Sequence, residues 1–393
     1  MLAPGGSPHS QRFVNLLVES GCDVTFVDDE DPKAWGCRGH RFVPYPGFRG
    51  GRLCEALVGG RVTDGLRLRA RTARLARLFR RVRPDIVHLH QVDGRAYHCA
   101  RAGLKPLVLS VWGTDINQHF LPGANPEARA RTGQALARAE LVLADASDMV
   151  EKCAQLAGRA VRVELLPLGV NTRLFRPAED GAGSEWRQRM DIPEGAYVFL
   201  SARALHPRYG QLDILEAFGL ARPRLNALSF LVFKLYNSEG AEEYAARVRA
   251  RVAELGLGGC VRWVGRVAFE QLPALYAAAD VLVNYPIMDG FPVTFLEAAA
   301  CQRPMVSNRL PSYAGTFAEK FFHLVEPGNI ATLADALVRS QHEPSQERAR
   351  RVDGARRVVE KQFDEAVVCA RLLDIYRGLA SRQHQTVKGR FDV

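Results

Sequence analysis

The chain has 393 residues, 47% hydrophobic and 24% charged, with a formal net charge of +10 at pH 7. That length is too great for one core of ordinary size, and the composition excludes a disordered or fibrous chain. No apolar run approaches the ~20 residues that cross a bilayer. The eight cysteines are scattered without a C-x-x-C pair, so neither a disulfide framework nor a zinc site is expected. Free thiols imply a reducing cytoplasm, and the first ten residues, MLAPGGSPHS, lack the basic and apolar stretches of a signal peptide.

Taken in order, residues 2–21 (LAPGGSPHSQRFVNLLVESG) read as a strand end, a glycine-rich turn and a helix. A first strand of three or four residues is short. It leads to the expectation that the assigned start lies downstream of the true one, the alternative being a naturally trimmed strand; mass spectrometry of the endogenous terminus decides. CDVTFVD (22–28) reads as a strand. Residues 66–83 then carry eight arginines, from Arg67 to Arg83, around Leu68, Leu75, Leu78, Phe79 and Val82 at helical spacing. This is either a surface helix with a solvated basic face or a peripheral contact with an anionic membrane. No helix-turn-helix, zinc-finger or RNP-type signature accompanies the charge, so nucleic acid is not the expected partner.

PDIVHLH (84–90), PLVLSVWG (106–113) and AELVLAD (139–145) continue the strand series. A second series follows: AYVFLSAR (196–203), LSFLVFKL (228–235), CVRWVGRV (260–267), ADVLVNYP (279–286) and RPMVSN (303–308). Nearly continuous apolar strands alternating with helices predict parallel sheets covered on both faces, and two series predict two doubly wound α/β domains. The seam, residues 166–185, is rich in glycine, proline and polar residues. We therefore expect an N-terminal domain over 1–171, a C-terminal domain over 172–371, and a final segment, 372–393, packing back on the first. A ligand is expected at the carboxyl ends of the strands, in a cleft where the sheets face each other.

DGFPVTFLEAAACQRPMV (289–306) concentrates the chemistry. Pro292 cannot continue a helix but fits its first turn, so a helix is predicted from about Pro292–Thr294 to Cys301. Its unpaired N–H groups at Val293 and Thr294 and its positive dipole end suit an anion. Gly290 permits close backbone approach, Asp289 lies beside whatever carries the anion, and Glu297, over a turn further in, can accept from a vicinal diol.

This segment resembles the E-G-F-G-x-x-x-x-E-A-x-A-C-G-x-P-V motif of the GT-B glycosyltransferases of family four, retaining enzymes that use nucleotide-sugar donors. PDIVHLH, VWGTD, LPLGVNTRLFRP, ALYAAADVLVNYP and LVEPGNIATLADAL fall in the family's order, so the similarity spans essentially the whole chain. The resemblance implies a GT-B fold and transfer of a hexosyl-type unit to an acceptor hydroxyl of a sugar, lipid-linked or small-molecule acceptor. No metal or other cofactor is then expected, and the departing phosphate takes the acceptor proton. It implies that Arg203 and Arg208, in SARALHPRYGQ, neutralise the donor diphosphate, surface ion pairing being the alternative. Asp289, Arg203 and Arg208 are thus the catalytic candidates. Donor contacts would come from these with Gly5, Gly6, Arg266, Gly290, Phe291, Val293, Thr294 and Glu297. His9, Trp112 and Asp115 are candidates to face acceptor or sugar, each with a structural alternative. The segment 364–379 would form the helix that crosses back to the first domain.

Departures from the pattern are specific. Trp112 stands where many members carry a histidine, so no histidine catalyst is assigned. Asp289 replaces a glutamate and Pro292 a glycine. Gln302 and Phe233–Lys234 also replace glycines, which directs attention to Lys234. His88 and His90 read as strand-end or core residues, and Trp263 and Val264 as core. The rival readings are a sugar-nucleotide epimerase and a non-catalytic nucleotide-sugar or carbohydrate-binding protein.

Overall fold

The computed structural model describes every residue except 4–6, 30–36, 46–59, 180, 236–240 and 389–393, with side chains 8, 9, 60–64, 241 and 383–388 also left undescribed. Its contacts divide the chain into two units, Met1–Leu168 with Val368–Val393, and Gly169–Val367.

In the first unit, β1 (Thr25–Asp28) pairs in parallel with β2 (Arg41–Pro44), and β3 (Val87–His90), β4 (Leu107–Val111), β5 (Leu141–Ala144) and β6 (Val163–Leu165) form a parallel set in sequence order. Leu2 bridges the two groups, making parallel bridges to Val27 and to Leu89. Strands β3, β4 and β5 are buried at every residue, as near-continuous apolar runs require. The C-terminal helix, Glu365–Lys388, supplies Val368, Leu372 and Leu379 to a core shared with Phe13, Leu17 and Leu141.

The arginine-rich segment forms the helix Gly60–Val82. Leu75 is fully buried, an anchor contributing about 1.5–3 kcal/mol. Arg69, Arg74, Arg77, Arg80 and Arg81 are exposed, as is Arg83 beyond the helix end. Among the described residues, no helix is long and apolar enough to cross a membrane.

The second unit holds β7 (Tyr197–Ser201), β8 (Ser229–Lys234), β9 (Val261–Val264), β10 (Val281–Asn284), β11 (Met305–Asn308) and β12 (His323–Val325). All pair in parallel, in the order β12-β11-β10-β7-β8-β9. Phe199, Leu231, Val261, Val281, Val283 and Val306 on one face meet the helices Gln211–Ala221, Ala241–Glu254 and Ile330–His342 in a common core. The chain winds outward from β7 to β9, then crosses to β10 on the other side of β7. In open parallel sheets that reversal point, at the carboxyl ends, is where ligands bind. Arg203 lies just beyond β7 and Asp289 just beyond β10.

Candidate active site

Pro292, extended at φ −73° and ψ 132°, caps the helix Val293–Ala300, and its carbonyl accepts from Phe295 N–H at 2.9 Å. Every residue of that helix is buried, including Thr294 and Glu297. The helix stops because Gln302 enters the left-handed region at φ 53°, the position where a glycine costs least.

Arg203 reaches from the end of β7 to this helix start. Its guanidinium pairs with Asp289 Oδ2 at 3.0 Å, donates to Thr294 Oγ1 at 3.2 Å, and lies 4.1 Å over the Tyr209 ring. Burial disfavours the guanidinium charge, but Asp289, assisted by Tyr209 and Tyr313, outweighs it and raises the pKa, so Arg203 stays charged. Burial pushes the Asp289 carboxyl above its ordinary range, countered by Arg203 and by the Gly290 N–H, which donates to Asp289 Oδ1 at 3.1 Å. Arg208 sits in the short turn Pro207–Tyr209, where its own N–H donates to His206 Nδ1 at 3.1 Å. Its charge acts on Asp289 in the same sense as that of Arg203. Gly210 ends this turn at φ 64°, and a Cβ there would collide with the Tyr285 carbonyl oxygen, so the turn requires glycine.

Glu297 accepts from the Tyr276 hydroxyl at 2.6 Å. Burial first, and the Glu297 carboxylate second, keep that phenol protonated. Lys234, at the carboxyl end of β8, completes the charged set. Burial lowers its pKa, Glu297 opposes that, and Arg203 adds to it. Three cations and two carboxylates thus meet around one helix start, and together they can neutralise an anion while holding hydroxyl groups.

Two family descriptions match nearly consecutive stretches of the chain: "Glycosyl transferase 4-like domain" over residues 5–169 and "Glycosyl transferases group 1" over 183–358. The chain is a family-four-like glycosyltransferase of the GT-B fold. This transferase is 28% identical over 286 residues to the GDP-mannose-dependent alpha-(1-6)-phosphatidylinositol monomannoside mannosyltransferase of Mycobacterium tuberculosis, covering 70% of this chain and 71% of that protein. It is 27% identical over 267 residues to the D-inositol 3-phosphate glycosyltransferase of Streptosporangium roseum, 66% of this chain and 60% of that one. Among solved structures, HepE of Anabaena in complex with UDP superposes with a TM-score of 0.75 at 17% identity, covering 96% and 99% of the two chains. A glycosyltransferase of Rickettsia africae does so at 0.78 and 14% identity, covering 96% and 97%. Those two likenesses speak for the fold alone.

The transferase distributes its remaining candidates unevenly. Gly5 and Gly6 lie outside the described residues, as does the side chain of His9, whose backbone is in the helix Pro8–Glu19. Arg266 is exposed, two residues past β9. Phe291 presents no side chain to a ligand. The ring is buried against Phe295, Phe317 and Phe363 at 5.8–6.0 Å, so it belongs to the core. Asp115 takes the structural alternative. It is 2% exposed and its two oxygens accept the Val92 and Trp112 backbone N–H groups at 2.8 and 2.9 Å, so it ties the loops after β3 and β4 together instead of facing a sugar. Trp112 packs edge-on against His90 at 5.9 Å. His88 and His90 are buried, His88 bonding Ser110 Oγ at 2.7 Å and the Tyr376 hydroxyl. Tyr209, Tyr276 and Tyr313 were missed in the sequence. Only Tyr209, beside Arg208, carried a local signal.

Proposed function

We propose that the transferase moves a hexosyl unit from a nucleoside diphosphate sugar to an acceptor hydroxyl with retention of anomeric configuration, in the building of a polysaccharide, glycolipid or other glycoconjugate. The observation that carries this is the Arg203 guanidinium held between Asp289 and Thr294 at the start of a buried helix. The donor named for the mycobacterial relative, GDP-mannose, supports the same class of substrate. In this reading Arg203, Arg208 and the N–H groups of Val293 and Thr294 meet the diphosphate charge, which grows as the bond to the anomeric carbon breaks. Asp289 holds a sugar hydroxyl and Glu297 the ribose. The acceptor oxygen bonds the anomeric carbon on the face the phosphate leaves, and its proton passes to the departing phosphate oxygen, so charge and atoms balance. The flattened, positively charged sugar of the transition state is countered by that phosphate.

Incubation with GDP-, UDP- and ADP-sugars and a panel of sugar, lipid and small-molecule acceptors tests the proposal. It expects nucleoside diphosphate release and a product whose anomeric proton coupling matches that of the donor; an inverted linkage refutes the retaining path. The exposed arginines of Gly60–Val82 support a peripheral contact with anionic lipid in the same scheme. Equal sedimentation with anionic and zwitterionic vesicles at matched salt rules that contact out.

A further inference from the structure

Tyr276 lies in the last turn of the short helix Leu272–Ala277 and is 1% exposed. Its hydroxyl donates to Glu297 Oε2 across 21 residues of sequence. A buried phenol and a buried carboxylate each give up hydration that only a hydrogen-bond partner can replace, and here they find each other. The ring is held as well: it packs against Phe175 at 6.1 Å, which in turn packs against Phe269 at 5.4 Å. A glutamate's terminal torsion is broad and roughly two-fold, so Glu297 left alone would sample many carboxylate orientations. A donor fixed on one oxygen removes that freedom and aims the other.

We infer that Tyr276 is a positioning residue for Glu297, fixing its carboxylate in the orientation that takes the ribose hydroxyls of a bound nucleotide. This rests on the donor reading proposed above. Tyr276 does not touch the nucleotide; it acts through Glu297. The rival role, a hydrogen bond that merely supports the core, makes a different forecast. It would weaken binding of every nucleotide equally, whether or not the ribose hydroxyls are present.

Calorimetric titration of GDP, UDP, ADP and their 2′,3′-dideoxy forms separates the two roles. The wild-type protein should prefer the ribo form of its nucleotide by about tenfold, the worth of one hydrogen bond to a charged group. In Tyr276→Phe that preference should shrink to about two- or threefold while dideoxy affinity is unchanged. Glu297→Gln should behave alike, and the double variant no worse than Glu297→Gln alone, because both changes remove one interaction. A Tyr276→Phe protein that keeps the full preference, or loses affinity for both forms in parallel, overturns the inference. If wild type binds none of the three nucleotides, or binds ribo and dideoxy forms alike, the donor reading itself falls. Should Tyr276→Phe fail to fold, Phe175→Leu, which loosens the ring without removing the hydroxyl, is expected to lower the preference part-way. No change in that variant would equally overturn the role.

Discussion

Replacing Arg203 with alanine tests the charged centre most directly. The guanidinium holds a carboxylate at 3.0 Å and a hydroxyl at 3.2 Å and covers a tyrosine ring at 4.1 Å. Its loss leaves Asp289, 11% exposed, with the Gly290 N–H as its remaining short hydrogen bond shown above. Breaking a buried pair from one side costs about 3–5 kcal/mol, because the surviving charge stays buried. For a unit of roughly 200 residues that corresponds to a melting temperature lower by about 10 °C. The loss has a signature. Burial already raises the Asp289 pKa, and removing Arg203 raises it further, so the carboxyl can escape the penalty by taking a proton. The destabilisation should therefore be larger at pH 8 than at pH 5. Arg203→Leu combined with Asp289→Asn should recover most of the stability while leaving nucleoside diphosphate affinity low, by about tenfold or more. Thermal melts at both pH values, with calorimetric titration of GDP and UDP, read all of these. An Arg203→Ala protein with unchanged melting and affinity would refute the reasoning.

Three further outcomes follow from single features. Asp115 has its pKa raised from 3.8 to about 6, chiefly by burial and despite the Val92 and Trp112 N–H groups that favour its charged form. A carboxyl raised in this way favours the folded state below pH 4 and loses that contribution as pH rises through about 6, a change of about 3 kcal/mol. Denaturant titrations should show this slope in wild type and not in Asp115→Asn; identical profiles would contradict the assignment. Gln302→Gly should raise the melting temperature modestly, by about 0.5 kcal/mol of stability, since relief of the φ 53° backbone outweighs loss of the 2.5 Å bond to Asp353. A lower melting temperature would show that the side-chain bond dominates. Lys234→Met should weaken nucleoside diphosphate binding by several-fold and leave the bare nucleoside unaffected, as expected for a cation at the end of β8 near Arg203 and Glu297. Equal effects on both ligands would place Lys234 outside the anion's reach.

Much of the second unit was legible because its strands are buried on both faces, so AYVFLSAR, LSFLVFKL and ADVLVNYP stand out as uninterrupted apolar runs. The helix start was legible for a different reason: a proline can cap Val293–Ala300 but cannot lie within it. β2, by contrast, is a pair of apolar residues flanked by Arg41 and Pro44, half-buried and without a pattern that separates it from a loop. The pairing of Arg203 with Asp289 and Thr294 spans up to 91 residues and follows only from the strand order, which places the ends of β7 and β10 side by side. The two alternatives for Asp115 stayed open in the sequence because a short motif cannot say whether a carboxylate turns outward or folds back onto amides one or two residues past a strand end. Tyr276 gave no signal of its own, since a tyrosine in an apolar helical run ordinarily reads as core.

The helix Val293–Ala300 has no solvent-facing side. Tilting it even slightly would mean repacking neighbours on every flank, so the orientation of its leading amides is settled when the chain folds and not when a ligand arrives. In the function proposed above, these fixed amides would share the phosphate charge with Arg203, and Asp289 would face the sugar. Because Asp289 also seats the Arg203 guanidinium at 3.0 Å, a substitution there disturbs that cation, while the leading amides of the helix keep their place.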